Sequence, residues 1–185
     1  MQDKFCRICW NTDGWESPTG TATDGPKSYY GIHGFGHEEW LFKYDWLIDG
    51  HRYGFLQPIN KFFSSYSGQN CSILLYTLTP EGQILLIGEI SDVYIPTIAE
   101  LERVLTAYED EGWLDRMRDD VLNIEGNTDV LENPPPHHIA NVKFRPKDAK
   151  IFDPRPQVVG DHTITRNLRY HPFNWNDNYP AVAGD

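Results

Sequence analysis

Apolar and polar positions alternate at the start of this chain, and apolar residues later recur at helical spacing, which predicts strands first and helices after them. Lys4–Trp10 is β-rich and reads as the first strand. Asn11 to Ser28, rich in Thr, Gly, Asp, Ser and Pro, reads as a long loop. A loop of that length inside a compact domain is usually functional or mobile. Trp40–Ile48 and His51–Ile59 flank Asp49-Gly50, a dipeptide suited to the positive φ of a tight hairpin. Lys61–Asn70 (KFFSSYSGQN) reads as a polar-aromatic loop. Ser72–Leu78 and Gln83–Ile90 form a second hairpin across residues 79–82.

The period then changes. Thr97 and Glu100 stand at capping-box spacing behind Pro96, and Ile98, Leu101, Val104, Leu105 and Tyr108 follow on one helical face. Gly112 predicts a break, with Trp113–Leu122 as a second helical piece. Asn133-Pro-Pro-Pro136 predicts a rigid extended linker. Ala140–Arg145 reads as a strand and Arg169–Trp175 as a final strand or ordered tail. The order implies an α+β (mixed α/β) domain with a curved, mainly antiparallel sheet flanked by helices. The domain is expected over residues 1–150, with its helical segment at 96–123. Residues 151–185 would be a C-terminal extension or the start of a linker.

The chain has 185 residues, 39% of them hydrophobic but 14% aromatic, so a core remains easy to build. At this length a domain buries roughly 70% of its unfolded surface. No run of eighteen apolar residues and no signal-peptide pattern occurs, so a soluble, cytoplasmic protein without membrane association is expected. Cys6, Cys9 and Cys71 leave one thiol unpaired, which argues against a disulfide framework. Cys6 and Cys9 form a C-x-x-C without a second ligand pair, and buried thiols are expected there. The net charge of −11 opposes general DNA coating. Residues 96–133 carry eleven Asp/Glu against three Lys/Arg, a net of −8, so the acidity is concentrated in one segment that could face away from a ligand.

The densest candidate chemistry lies in Gly31–Asn60, GIHGFGHEEWLFKYDWLIDGHRYGFLQPIN. Gly34 and Gly36 bracket Phe35, followed by His37, Glu38, Glu39, Trp40 and Trp46. A glycine-bracketed aromatic turn suits a pocket in which backbone comes close to a flat ligand. Upstream, Phe5–Trp15 (FCRICWNTDGW) brings Asn11, Asp13 and Trp15 to the end of the first strand. Together these segments resemble the modified-DNA-reading domains of the EVE/YTH-like branch of the PUA superfamily, as found N-terminal to HNH nuclease domains in modification-dependent (type IV) restriction enzymes. The likeness runs from Lys4 to about Arg145, strong up to Ile59 and faint beyond Glu89.

The resemblance implies a small curved β-barrel of PUA/EVE type. It implies recognition of 5-methylcytosine or 5-hydroxymethylcytosine in duplex DNA by base flipping, with cleavage supplied by an associated HNH-type nuclease domain. It implies no cofactor, and no catalysis by this segment itself. Extruding a base costs about a few kcal/mol, which aromatic faces return at roughly 1–3 kcal/mol per stacked base. The pocket also needs an acceptor for the exocyclic amine. Asn11, Asp13, Trp15, Tyr29, Tyr30, Gly34, Phe35, Gly36, Glu38, Trp40 and Trp46 are the candidates, joined by a later-loop aromatic from Phe62, Phe63 or Tyr66. Lys27, Ser28, Lys61, Ser64 and Ser65 are candidates for phosphate, as is a sparse tail set of Lys143, Arg145, Arg166 and Arg169. Trp40 and Trp46 share strand parity in the expected hairpin, so both could equally be core.

Other functions remain open. A PUA-like domain could bind RNA or a small molecule, and an aromatic cage could read N6-methyladenine. A carboxylate–histidine enzyme around His37-Glu38-Glu39 is a third class. His137-His138, Asn141 and His162 faintly echo an HNH nuclease but lack its metal-finger pattern. No Walker loop, G-x-S-x-G, G-x-G-x-x-G or H-E-x-x-H occurs.

Overall fold

The second hairpin is the spine of the domain. In a computed structural model that describes residues 1–21, 25, 27–175 and 178–184, its strands are long and buried through their central residues. In chain order the elements are β1 (Lys4–Arg7), α1 (Tyr29–His33), a 3-10 turn (His37–Trp40), β2 (Leu47–Ile48), β3 (His51–Gly54), α2 (Gln57–Asn60), α3 (Phe63–Tyr66), β4 (Asn70–Leu78) and β5 (Ile84–Tyr94). There follow α4 (Ile98–Asp110), α5 (Trp113–Asn123), α6 (Pro136–Ile139), β6 (Val142–Phe144), β7 (Ala149–Ile151), α7 (Thr163–Arg166) and β8 (Phe173–Asn174). None of the described helices is long and apolar enough to cross a membrane.

The fold is α+β, with a mostly antiparallel eight-stranded sheet in the order β2-β3-β6-β5-β4-β1-β8 and β7 alongside β5. Only the β1–β4 pairing is parallel among those described. The path ends at β2 and β8 without closing, so the sheet is open where a barrel was expected.

Both faces are covered, as the two-residue period requires. Cys71, Ile73 and Leu75 of β4 enter the main core beneath α4 and α5, while Leu74 and Tyr76 enter a second core. That second core is completed by Val158 and Ile164, with Phe173 and Trp175 packed against it. Residues beyond 150 therefore cover one face of the sheet, and β8 pairs directly with β1.

Local signals survive where no tertiary contact opposes them. Asp49 and Gly50 both take positive φ (49° and 73°) at the first hairpin's turn. Thr97 caps α4 through its hydroxyl, which accepts from Glu100 N. The Glu100 carboxylate accepts instead from the Tyr53 hydroxyl and the Lys143 ammonium, each at 2.8 Å. Gly112 separates α4 from α5 at φ 68°.

The first hairpin departs from expectation. Its strands are only two and four residues long, and Trp40 and Trp46 stand outside them, in turns. The buried Arg52 guanidinium draws the 3-10 turn inward, donating to the carbonyls of Trp40 and Tyr53 and to the Tyr108 hydroxyl. Trp46 stacks on Trp113, centroids 5.7 Å apart and planes 6° from parallel. Burial of large rings against α4 and α5 outweighs the β pattern there. Three further segments fold into short helices: α2 at the end of the expected 51–59 strand, α3 within the expected 61–70 loop, and α6, which Pro136 begins, in the expected rigid linker. Of the loop expected over 11–28, residues 22–24 and 26 lie outside the described residues.

Candidate functional site

After β1 the chain turns around the Asn11 side chain. Its Oδ1 accepts from the backbone N–H of Asp13 (2.7 Å) and Trp15 (2.9 Å), and its amide donates to Ser17 O (2.8 Å) and Glu39 Oε1 (2.9 Å). A fully engaged, fully buried amide is a loop scaffold and has little left for a ligand. Trp15 is buried too, donating from Nε1 to Cys9 O at 3.0 Å and packing edge-on against Phe42. Asp13 is exposed and accepts from the Ser17 hydroxyl. None of the three lines the aromatic cavity described below. Trp15→Phe is accordingly expected to lower stability by about 1–3 kcal/mol, through loss of the buried indole hydrogen bond, with ligand binding unchanged. A denaturant midpoint read beside a binding isotherm checks this; lost binding at full stability would return Trp15 to the pocket.

The loop leads into α1, capped by Ser28 Oγ accepting from Gly31 N at 3.0 Å. Gly34 ends α1 at φ 80°, where the backbone of Gly126 packs against it. Phe35 is wholly buried between Tyr29, His37 and Trp40, and Trp40 donates to the Asp120 carboxylate of the acidic α5 at 2.9 Å. Gly34, Phe35, Trp40 and Trp46 are thus core and connection residues, correcting their expected place in a pocket.

In the 3-10 turn that follows, neighbouring residues point about 120° apart, which separates the two glutamates. Glu39 turns inward and accepts from Gly36 N, Thr19 N and the Asn11 amide. Burial raises its carboxyl pKa, and these hydrogen bonds pull it partly back. Glu38 turns instead to a cavity of about 150 Å³. A volume on that order accommodates one benzene-sized ring.

Tyr29, Tyr30, Phe55 and Tyr170 form aromatic walls of this cavity, and Glu38, His37, Gln57 and Ser28 supply its polar groups. Glu38 Oε1 accepts from Gln57 N at 3.1 Å. A side chain at Gly36 would bring its Cβ to 2.9 Å from Cys9 Sγ and 3.0 Å from Glu38 Oε2, so glycine lets the thiol and the carboxylate share one corner. His37 lies against Phe35 and Phe55, with Nε2 2.6 Å from the Tyr29 hydroxyl. Burial, reinforced by His138 and His33, lowers its pKa to about 3, so the ring is neutral at neutral pH. Burial and the Glu38 carboxylate push the Tyr29 hydroxyl in the opposite direction, well above its usual value.

Lys61 reaches the cavity from an exposed position, and Lys27 is exposed next to the capping Ser28; neither has a partner among the described residues. Ser64 and Ser65 are exposed on α3, away from this cavity's lining. Most of the tail set is already paired: Lys143 with Glu100, Arg145 with Asp148 and Asp92, and Arg166 with Asp161.

The structure therefore brings together Tyr29, Tyr30, Gly36, Glu38, Ser28 and Lys61 and adds Cys9, His37, Phe55, Gln57 and Tyr170. Phe62, Phe63 and Tyr66 stay out of the cavity; the late aromatic is Tyr170, beneath the Arg7 guanidinium at 4.5 Å. Its only sequence signal was the aromatic density of the tail.

Cys6 and Cys71 are free and buried in the core. Among the described residues no group of three or more His, Cys, Asp or Glu is placed to hold a metal ion. Of the residues that echo a nuclease, His137 and His138 lie against each other, ring centroids 4.6 Å apart, while Asn141 and His162 are committed elsewhere. Asn141 pairs its amide with the backbone of Leu56, His162 caps α7, and His137 stacks on Phe63. Comparison with protein-family models, curated proteins and solved structures finds no match to this chain.

Proposed function

We propose that this domain binds a single extruded base, a modified cytosine in duplex DNA, and so directs an associated nuclease domain of the HNH type to modified sites. The observation that carries this reading is the one-ring cavity itself, walled by aromatic rings and holding the Glu38 carboxylate. Aromatic walls suit a stacked base. A carboxylate accepts from the N4 amine of cytosine, and Lys61 in the cavity's lining and Lys27 beside the capping Ser28 offer cations for phosphate. The likeness to EVE/YTH-like readers of the PUA superfamily supports the same reading, with an open sheet in place of their barrel.

The test is competitive binding to matched duplexes carrying cytosine, 5-methylcytosine, 5-hydroxymethylcytosine, glucosylated 5-hydroxymethylcytosine or N6-methyladenine, at one stated salt concentration. A preference of about tenfold (roughly 1.4 kcal/mol) is expected for the methyl or hydroxymethyl duplex. The glucosylated base is expected to be excluded, because a sugar exceeds a one-ring volume. Equal, feeble binding to all five sinks the reading. The net charge of −11 favours a second reading, a pocket for a free modified nucleoside. Nucleoside binding that matches or exceeds duplex binding would select it.

A further inference from the structure

Lys61 lines a second depression as well, of about 500 Å³, framed by α2, α3, the start of α4 and α6. Its volume falls in the range of roughly 300–1,000 Å³ that small-molecule sites occupy. Here the Phe63 and His137 rings stack, centroids 5.2 Å apart and planes 23° from parallel. Ile98 is 42% exposed beside them, at the first turn of α4. Two buried polar atoms, Asn60 Oδ1 and His137 Nδ1, have no hydrogen-bond partner among the described residues. The Ser64 hydroxyl is exposed, whereas that of Ser67 is held by Pro96 O at 3.1 Å.

The geometry points to a subsite for the nucleotide next to the extruded base, with its phosphate on Lys61 and Ser64 and its base against Ile98 and the Phe63–His137 stack. This rests on the base-extrusion reading above. A strand whose base enters the pocket must carry its neighbouring phosphate past the pocket's mouth, and Lys61 is common to both depressions. Apolar surface and ring faces take up any base by stacking, with little sequence preference.

The experiment uses the duplex bound best in the panel above, with the nucleotide on the 5′ or the 3′ side of the modified base either intact or abasic. For the wild-type chain one abasic duplex is expected to bind about tenfold more weakly, the order of a single base stack. His137→Ala and Ile98→Ser are expected to bind the intact duplex correspondingly more weakly and to lose little further when that neighbour is abasic. Lys61→Ala is expected to lower the slope of log affinity against log salt by about one unit. Each abasic comparison is made within one variant, so changes in folding stability cancel. Wild-type indifference to both abasic sites, or variants as sensitive to them as wild type, overturns the subsite alone. Failure of the wild-type chain to bind any modified duplex overturns the pocket reading with it.

Discussion

Acidification from pH 8 to pH 5 is expected to lower folding stability by about 2 kcal/mol through His37 alone. The ring is buried between Phe35 and Phe55, and burial, with His138 and His33 adding to it, lowers its pKa from 6.5 to about 3. Between those two values the unfolded chain binds a proton at this residue and the folded chain does not. Stability from His37 is therefore complete above pH 6.5 and is lost as the pH falls, by about 1.4 kcal/mol per unit until the folded state also protonates. Carboxylates and the other histidines titrate over the same range, so the measurement is a difference. Urea unfolding of wild type and His37→Phe at pH 8 and pH 5 is expected to show the variant losing about 2 kcal/mol less than wild type. Phenylalanine suits the aromatic surroundings, and the half-exposed Tyr29 hydroxyl can turn to water. Parallel losses in the two proteins would mean that His37 takes up its proton without unfolding.

Glu38→Gln is expected to reverse the base preference of the pocket. One oxygen of the wild-type carboxylate accepts from Gln57 N and the other lies near Cys9 and Gly36. Glutamine keeps the first interaction, so the 3-10 turn and α2 stay joined, and presents an amide N–H where the second oxygen was. A cytosine N4 amine then meets a donor, whereas the O4 of thymine is an acceptor. A site left with opposed donors loses about 2–3 kcal/mol, roughly 30- to 150-fold in affinity. The same duplex competition, extended to thymine at the test position, is expected to show modified cytosine falling by that factor while thymine gains. Cytosine affinity unchanged to within roughly threefold (~0.7 kcal/mol) would remove Glu38 from base recognition. Aromatic stacking would then be the pocket's whole contribution.

Both predictions concern adjacent residues of one short turn, and nothing in HEEW taken as letters assigns their roles. Glu38 and Glu39 are chemically identical. Which one faces the cavity follows from the donors that converge on Glu39 from Asn11, Thr19 and Gly36. His37 looked like an ordinary polar neighbour until Phe35 and Phe55 closed around it. Trp15, Trp40 and Trp46, the largest side chains of the motif, went to the core because sheet and helices offered each a complementary surface.

What the chain determined by itself is its local structure. The positive φ at Asp49-Gly50, the Thr97 cap and the break at Gly112 all follow from interactions between residues a few positions apart. The glycine-rich aromatic turn was legible as a place where backbone comes close, and Tyr29, Tyr30, Gly36 and Glu38 do line the cavity. The tertiary structure decided the remainder: an open sheet, a tail that covers its second face, and a pocket closed by Tyr170. Tyr170 stands far along the chain from Cys9, and no periodicity or spacing records a contact of that separation. The tail comes back to the strand where the chain began because β8 pairs with β1 and the Arg7 guanidinium donates to Leu168 O.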